Sequence, residues 1–294
     1  MDGKRWLKDR MADLAYLWHR MPGRKPTVRV YSMDETLDEL LQGGKSLVRF
    51  GDGEIVMMKG KSLKLQQASP ELAEGLKRIL GYEQENLLVT VQGIFDGVGM
   101  YHRKSRQFWK DHLLFCRKIY KRYCNGGKVY GDTAVTRCWY AFADKSRCGQ
   151  WFGKFREVWR DRQVVVVEGT RSHNGVGNDL FDTAAGVERI ICPPKDAYAS
   201  YQEILEACRK FPKDRLFLLS LGVTAKFLAR DLHRDGYRVI DIGNLDMEYE
   251  WFLQGSYDKI PIKKHEITGK EGNRKAGYLE YLGQIKAMVG EIGW

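Results

Sequence analysis

The run Val164-Val165-Val166-Val167-Glu168-Gly169 decides the fold. Four consecutive apolar residues predict a strand that is buried on both faces, because a strand with one solvated face alternates apolar and polar residues. Strands of this kind belong to parallel sheets that helices cover on both sides. The run therefore predicts an α/β protein, with Glu168 and Gly169 at the carboxyl end of a central strand.

The segments around this run continue the alternation of strand and helix. Further strands are predicted at 46–50, 87–91, 189–191, 216–221 and 238–242. Helices are predicted at 32–43, 70–80, 108–123, 197–210 and 224–234, and mainly over 139–159. This alternation with short links is typical of a Rossmann-like, mostly parallel sheet with helices on both faces. We expect one domain over 31–294, preceded by a helical extension and hinge over 1–30.

The chain is strongly basic, with 49 Lys and Arg against 38 Asp and Glu and a formal net charge of +11. Its 43% of hydrophobic residues exclude a disordered protein. Mean hydropathy is −0.47, and no apolar run approaches the ~18 residues of a membrane span. The charge makes a nucleic-acid-binding protein the alternative function, with basic stretches at 59–64, 102–106 and 117–122. Because no known DNA or RNA motif accompanies these stretches, we expect no nucleic-acid partner.

The cysteines and the first residues predict a cytoplasmic protein. None of the six cysteines forms a C-x-x-C pair, so a structural zinc site lacks its spacing, and no secretory signal is present. Trp6, Leu14 and Trp18 recur with a helical period among basic residues. Such a helix either packs on its own domain, which we favour, or lies on an anionic membrane as a peripheral contact at the inner face.

Three familiar active-site motifs are incomplete. The segment 43–46, G-G-K-S, ends like a P-loop, but Glu39 stands at the first glycine position and the segment precedes a strand instead of following one. The segment 175–177, G-V-G, lacks the third glycine of a dinucleotide fingerprint, and no G-x-S-x-G occurs. P-loop ATPases, NAD enzymes and serine hydrolases are therefore disfavoured.

The first informative segment follows the strand at 46–50. Asp52 and Glu54 are two residues apart, so in an extended segment both carboxylates point to one side. Two hard oxygen ligands suit Mg²⁺ or Mn²⁺ shared with a substrate diphosphate. Gly51 and Gly53 let the backbone approach a phosphate, and Arg49 adds a bidentate donor. The alternative is a turn whose acids are merely solvated.

Two later segments also follow strands. Glu168, Asn178 and Asp179 offer acceptors for ribose and sugar hydroxyls, although Asp179 could instead cap the next helix. Gly222 and Thr224 belong to a strand-to-helix turn whose free amides form an anion site. The alternative is that Thr224 serves only as a helix N-cap.

The last segment, after the strand at 238–242, holds four acids in ten residues, Asp241 to Glu250. Burial or a neighbouring charge raises the pKa of a carboxylate and so makes a general base. Glu248, beside Tyr249 and Trp251, is the preferred base, with Asp246 second. The alternative is an acid that stabilises the first turn of a helix.

Taken together, these segments resemble the bacterial GT-D glycosyltransferases, a family once known only as a domain of unknown function. The similar segments are R-F-G-D-G-E (49–54), E-G (168–169), G-V-G-N-D-L-F (175–181), R-I-I-C-P (189–193), L-G-V-T-A (221–225) and I-D-I-G-N-L-D-M-E-Y-E-W-F (240–252). The resemblance implies a Rossmann-like fold and a divalent metal, Mn²⁺ or Mg²⁺, at Asp52 and Glu54. It also implies transfer of a sugar, commonly glucose from UDP-glucose, with the base at Asp246 or Glu248.

The implied enzyme is a metal-dependent, inverting glycosyltransferase of bacterial surface-glycan or glycoprotein synthesis. Its acceptor is a glycan, a glycoprotein or a lipid-linked oligosaccharide, and a homodimer stays open. The nearest alternative is a nucleotidyl- or sugar-phosphate-transferring enzyme with the same metal chemistry. Three positions depart from the family pattern, since Val223 stands for proline, His173 for arginine and Asn244 for histidine. Because asparagine cannot act as a base near neutral pH, no role that needs an imidazole is expected at position 244.

Overall fold

The computed structural model describes residues 3–21, 23–24, 26–262, 264 and 277–290. Nine parallel strands form one sheet in these residues. The strands are β1 (Arg29–Val30), β2 (Ser46–Arg49), β3 (Leu87–Val91), β4 (Val129–Asp132), β5 (Gln163–Gly169), β6 (Gly186–Cys192), β7 (Leu216–Ser220), β8 (Arg238–Asp241) and β9 (Ile285–Met288). Their order across the sheet is β1-β4-β3-β2-β8-β7-β5-β6-β9. The predicted α/β class and mostly parallel sheet are therefore confirmed.

Helices connect the strands, as parallel strands require. They are α1 (Gly3–His19), α2 (Met33–Leu41), α3 (Asp52–Met57), α4 (Pro70–Leu80), α5 (Arg103–Tyr123), α6 (Cys148–Val158), α7 (Tyr201–Arg209), α8 (Thr224–Arg234), α9 (Leu245–Leu253) and α10 (Tyr278–Gln284). Local sequence starts them: the Ser32 hydroxyl caps α2 and accepts from the amide of Glu35, whose carboxylate accepts in return from the Ser32 amide. Ser69 caps α4, and proline at its first position fits the helix there.

The valine run lies at the centre of the sheet, as predicted. Val164–Val167 are fully buried, and β5 pairs with β6 on one side and with β7 on the other. Val165, for example, stands between Glu188 and Phe217. Continuous burial of both faces explains why this strand shows no alternation of apolar and polar residues.

Several elements differ from the sequence-based expectations. Residues 139–147 form turns, irregular backbone and an isolated bridge from Phe142 to Tyr101, so the helix expected over 139–159 is confined to α6. The reason lies partly in the backbone amides of Trp139 and Tyr140, which donate to a carboxylate of α9 instead of to helix carbonyls. The strands β1, β4 and β9 were not predicted, because each has only two to four residues and none is a continuous apolar run.

Helix α1 packs on its own domain, as favoured, by one of its faces. Ala12 and Tyr16 are buried against the domain, and the carboxylate of Asp13 lies 2.5 Å from Nζ of Lys110 on α5. Two residues of the predicted hinge, Pro22 and Lys25, lie outside the described residues. Within the described chain, no helix combines the length and apolar content needed to cross a membrane.

Candidate active site

A cavity of about 810 Å³ opens where five strands end. Its walls come from the segments that follow β2, β5, β6, β7 and β8. In open α/β sheets ligands bind at this edge, and the volume is typical of small-molecule sites, which span roughly 300–1,000 Å³. The lining residues used below are Glu54, Leu63 to Gln66, Asn174, Gly222, Val223, Gly243, Asn244 and Met247.

A buried cluster of charges lies behind the wall formed by β2, β8 and α8. Nζ of Lys226 is 3.1 Å from Oε1 of Glu54 and 3.0 Å from Oδ2 of Asp241. Lys226 is only 1% exposed, and it also donates to the carbonyl of Gly222 at 2.9 Å. Burial alone would raise the pKa of Glu54, but Lys226 and Arg49 outweigh it and lower that pKa. Glu54 is therefore an ionised carboxylate on the cavity wall.

Lys226 was not singled out from the sequence. It occupies a helix turn in which Ala225, Phe227 and Leu228 are all buried. A lone cation on such an apolar face was the available signal, because a buried ammonium needs ionised partners. Its partner Asp241 is fully buried, and burial raises the pKa of that carboxyl against the opposing effect of Lys226.

The guanidinium of Arg49 fills the space left by two glycines. A Cβ at Gly51 would lie 3.3 Å from Nη2, and a Cβ at Gly243 only 3.0 Å from Nη1. Gly243 also has a φ of 51°, which favours glycine. Burial, together with the nearby charge of Arg137, lowers the pKa of Arg49, and its Nε has no hydrogen-bond partner among the described residues. Arg49 is thus a buried cation with a donor to spare.

Asp52 and Glu54 do not point to one side, so that expectation was wrong. Helix α3 already begins at Asp52, and two residues turn a helix by about 200°. Oε2 of Glu54 turns back to accept from the Gly51 amide at 2.8 Å, whereas the charge of Asp52 acts on His112 of α5, partly offsetting the burial that lowers the pKa of that histidine to about 4. Gly53 brings α3 against Leu63, since a Cβ there would meet that side chain at 3.0 Å.

The two carboxylates therefore do not form a ready-made metal site. Within the described ranges, no group of three or more His, Cys, Asp and Glu side chains could hold a metal ion. A cation taken up with a diphosphate needs only one or two carboxylates besides phosphate oxygens. Asp52 is the carboxylate left for that role, because it has no hydrogen-bond or ion-pair partner among the described residues, but it is not one of the residues that line the cavity. Glu54 is already paired with Lys226.

Glu168 shapes the cavity wall from behind. It is fully buried, with Oε1 2.5 Å from Nη1 of Arg189. Its Oε2 accepts from the backbone amide of Asn174 at 2.8 Å and from the side-chain amide at 2.6 Å. Arg189 in turn donates to the Asn174 carbonyl at 2.9 Å. The pair holds Asn174, which lines the cavity, in place.

Asn178 and Asp246 tie the same loop to α9. Oδ1 of Asp246 accepts from the Gly175 amide at 2.8 Å, from Nδ2 of Asn178 at 2.9 Å and from Nζ of Lys264 at 2.8 Å. Asn178 also donates to Glu250 at 2.6 Å. These contacts fix the distance between the loop after β5 and the first turn of α9.

Glu248 and Asp179 make further contacts around α9. Oε2 of Glu248 accepts from the amides of Trp139 at 3.0 Å and Tyr140 at 2.7 Å, and burial raises the pKa of this carboxyl. Asp179 accepts from the hydroxyl of Tyr249 at 2.7 Å. No helix begins after Asp179, since turns lead from it to β6, so its alternative role as a helix cap was wrong.

The turn before α8 presents free backbone donors to the cavity. Gly222 has a φ of 51°, and a Cβ there would meet no atom within 4 Å. The amides of Ala225 and Lys226 donate to the carbonyls of Gly222 and Val223 at 3.3 and 3.1 Å, whereas those of Val223 and Thr224 have no partner among the described residues. They lie at the positive end of the helix dipole. Thr224 opens α8, and its buried Oγ1 has no hydrogen-bond partner in the described part of the chain. Gly222 and Val223 of this turn line the cavity, and Thr224 lies buried directly behind them.

The three departures from the family pattern fall on or near the cavity. Val223 and Asn244 line it, so the residue types at these two positions bear directly on a ligand. His173 is buried, with its ring centroid 4.9 Å from that of Tyr281 on α10. It therefore joins the loop after β5 to the C-terminal helix.

Comparison with known proteins places this geometry in a family. The family described as "Glycosyltransferase GT-D fold" matches residues 47–270. A probable glycosyl transferase Gly of Streptococcus gordonii is 40% identical over 244 residues, which are 83% of this chain and 36% of that protein. Glycosyltransferase GlyD of Streptococcus pneumoniae is 39% identical over 285 residues, 95% of this chain and 35% of its own. The chain thus spans about a third of the length of these relatives.

Solved structures agree with this placement. One is described as a highly conserved domain of unknown function 1792 with a distinct glycosyltransferase fold. It shares 33% sequence identity with this chain and superposes with a TM-score of 0.84 over 95% of this chain and all of its own. A new glycosyltransferase (DUF1792) from Streptococcus sanguinis is 37% identical, with a TM-score of 0.83 over 90% of this chain and all of its own.

Proposed function

Because the chain belongs to the GT-D glycosyltransferase family, we propose that it transfers glucose from UDP-glucose to a hydroxyl of a glycan acceptor. The observation that carries the proposal is the anion site at α8, with its buried cations, on a cavity large enough for a nucleotide sugar. The acceptor would be a glycan, a glycoprotein or a lipid-linked oligosaccharide, and the reaction would serve bacterial surface-glycan or glycoprotein synthesis.

The diphosphate of the donor would bind at the turn before α8. Free amides and the Thr224 hydroxyl would donate to its oxygens, and Arg49, whose Nε has no partner among the described residues, would offset part of its negative charge from behind the wall. Negative charge on the diphosphate grows as the bond to the sugar breaks, so fixed donors and cations stabilise the transition state more than the ground state. This arrangement favours departure of UDP.

A divalent cation, Mn²⁺ or Mg²⁺, would be held by Asp52 and would supply further positive charge to the diphosphate. Asp52→Ala is then expected to abolish the stimulation of UDP release by Mn²⁺ while leaving metal-free UDP binding intact. Stimulation that survives in this variant would remove Asp52 from the metal site. Asp96→Ala serves as the control for a change of charge elsewhere.

The acceptor hydroxyl would attack the anomeric carbon from the side opposite the diphosphate. The new carbon–oxygen bond forms as the carbon–phosphate-oxygen bond breaks, which inverts the configuration, and the hydroxyl proton passes to a base. Glu248 is proposed as this base, with Asp246 second. Burial raises the pKa of Glu248, which improves its match to a proton acceptor near neutral pH.

The direct test is release of the nucleoside diphosphate from a panel of nucleotide sugars. We expect the purified chain with Mn²⁺ to release UDP from UDP-glucose faster than from other UDP-sugars, and to release no GDP from GDP-sugars. Transfer of a sugar phosphate or of UMP would instead leave products other than UDP, so the panel also separates the nearest alternative reaction. Release of no UDP from any UDP-sugar, with or without acceptor glycan, would contradict the proposal.

A further inference from the structure

Helix α1 carries a broad apolar face that its own domain does not cover. Six large apolar side chains on this helix are each 49% to 68% exposed, namely Trp6, Leu7, Met11, Leu14, Leu17 and Trp18. At 100° per residue they fall within an arc of about 140°. Large contiguous apolar patches on a protein surface mark sites of contact with another body.

The opposite face of α1 fixes the helix on the domain and so sets which way the apolar face looks. Tyr16 is 4% exposed, and Lys110 of α5 pairs with Asp13 at 2.5 Å. The guanidinium of Arg20, just after the helix, donates to the carbonyl of Asp96 at 2.7 Å. The domain contacts are therefore made by small, polar and aromatic side chains, and the apolar face points away from them.

Two arginines adjoin the apolar side chains of this face, Arg10 from within its arc and Arg24 from just after the helix. The guanidinium of Arg10 lies 5.6 Å from the ring of Trp6, and that of Arg24 lies 3.6 Å from the ring of Trp18. Helix α5, on which α1 packs, has eight Lys and Arg residues and a single acid, Asp111. Tryptophan beside arginine on an apolar helix face is typical of helices that lie in the headgroup region of a membrane.

We propose that α1 docks the protein on a bilayer that contains anionic phospholipids. Its leucine, methionine and tryptophan side chains enter the boundary between headgroups and acyl chains, while Arg10, Arg24 and the cations of α5 contact lipid phosphates. Charge complementarity favours this occupant, because anionic headgroups would pair with the cations of α5, whereas an apolar protein surface would leave them without partners. The docking does not depend on which sugar the cavity takes.

One loop links helix α5, on which α1 packs, to the cavity. Nζ of Lys59 lies 3.2 Å from the ring centroid of Phe115 on α5, and Nζ of Lys61 lies 4.6 Å from it. The same loop continues into the cavity wall at Leu63 to Gln66. A lipid-linked acceptor would reach the cavity along this loop, a consequence that rests on the proposed function.

The test is sedimentation of the full chain with vesicles. Vesicles of phosphatidylcholine mixed with phosphatidylglycerol are compared with vesicles of phosphatidylcholine alone, at low and high salt. The test variant is Leu14→Glu/Leu17→Glu, and the matched control is Leu253→Glu/Leu279→Glu, which changes two exposed leucines elsewhere. We expect at least about a tenfold loss of binding to anionic vesicles in the test variant, none in the control, and weaker binding at high salt.

Three results would overturn the proposal. They are no binding of the wild type to anionic vesicles, equal binding to both kinds of vesicle, and equal loss in both variants. Sedimentation velocity adds a fourth: a wild-type dimer that the test variant alone dissociates, without vesicle binding, would assign the face to a second copy of the chain. Calorimetric titration with UDP should give the same affinity for all three proteins, so that failure of docking and failure of nucleotide binding are told apart.

Discussion

Two buried glutamates at the carboxyl ends of strands behave differently in this protein. Glu54 follows β2, lines the cavity and is paired with Lys226, which has a second partner in Asp241. Glu168 ends β5, is sealed from the cavity and is paired with Arg189. Both are acids near the carboxyl end of a buried strand, and both have a buried cation within 3.1 Å.

The difference is access. Glu54 lies on a wall that a ligand can touch and its cations lie directly behind it, so they act on the charge of whatever binds. The second carboxylate oxygen of Glu168 accepts from the two amides of Asn174, so Glu168 fixes the position of a residue that lines the cavity. An acid at a strand end is therefore a candidate for chemistry only when its neighbours leave it open to a ligand.

Glu248 is the acid that sharpens this comparison most. Its Oε2 accepts from two backbone amides, as Glu168 does from amides of Asn174. In contrast to Glu168, however, Glu248 belongs to a helix whose first turn, at Asn244 and Met247, lines the cavity. Glu248→Gln keeps an oxygen for the two amides but cannot take up a proton. If Glu248 is the base, turnover should fall by about 10²- to 10⁴-fold with little change in UDP affinity.

The pH profile gives the second measurement on the same variant. A base must be ionised to act, and burial raises the pKa of Glu248, so turnover of the wild type should decline as pH falls through a pKa above the usual glutamate range. The variant should lack this decline. Near-normal turnover in Glu248→Gln would show that Glu248, like Glu168, has a structural role, which is to position the backbone at 139–140.

Removal of either paired glutamate tests the comparison through stability. Glu168→Ala leaves Arg189 buried without its charged partner and should cost about 3–5 kcal/mol in the free energy of unfolding. Glu54→Ala leaves Lys226 paired with Asp241 and should cost less, about 1–3 kcal/mol. Urea denaturation measures both. The double variant Glu168→Leu/Arg189→Met should recover most of the loss, and equal costs for the two single variants would contradict the distinction.

The sequence alone predicted the six adjacent strands from β3 to β6 across the sheet, because short apolar runs mark them, and it missed β1, β4 and β9. It also predicted which segments gather at the sheet edge, since parallel strands end on the same side. It failed at Asp52 and Glu54, because the helix begins at the first acid and turns the two carboxylates apart. It missed Lys226, whose importance depends on Glu54 and Asp241, residues that are distant in sequence and meet only in the folded sheet.

Asp132 extends the comparison to a buried carboxylate without a cation beside it in the described residues. Burial raises its pKa to about 6, and only the amides of Ala134 and Gly93 oppose this. Because the pKa of Asp132 is higher in the folded than in the unfolded state, its ionisation destabilises the fold. The effect is absent below about pH 4 and grows as pH rises towards 6. Asp132→Asn should therefore raise the free energy of unfolding by about 1–3 kcal/mol at pH 8 and leave it unchanged at pH 4. Denaturation at the two pH values measures this, and a loss of stability at pH 8 would contradict it.

The most direct test of the account is UDP binding to Thr224→Val, measured by calorimetry together with stability. The account assigns the hydroxyl of Thr224 to the diphosphate, and in the described chain this buried oxygen has no other partner. Replacing it with a methyl group should therefore leave the free energy of unfolding unchanged or higher, while UDP affinity falls by about tenfold. Thr183→Val removes a hydroxyl that donates to the carbonyl of Arg156, so it should lower the free energy of unfolding and leave UDP affinity unchanged. Unchanged UDP affinity in Thr224→Val would contradict a diphosphate site at the start of α8.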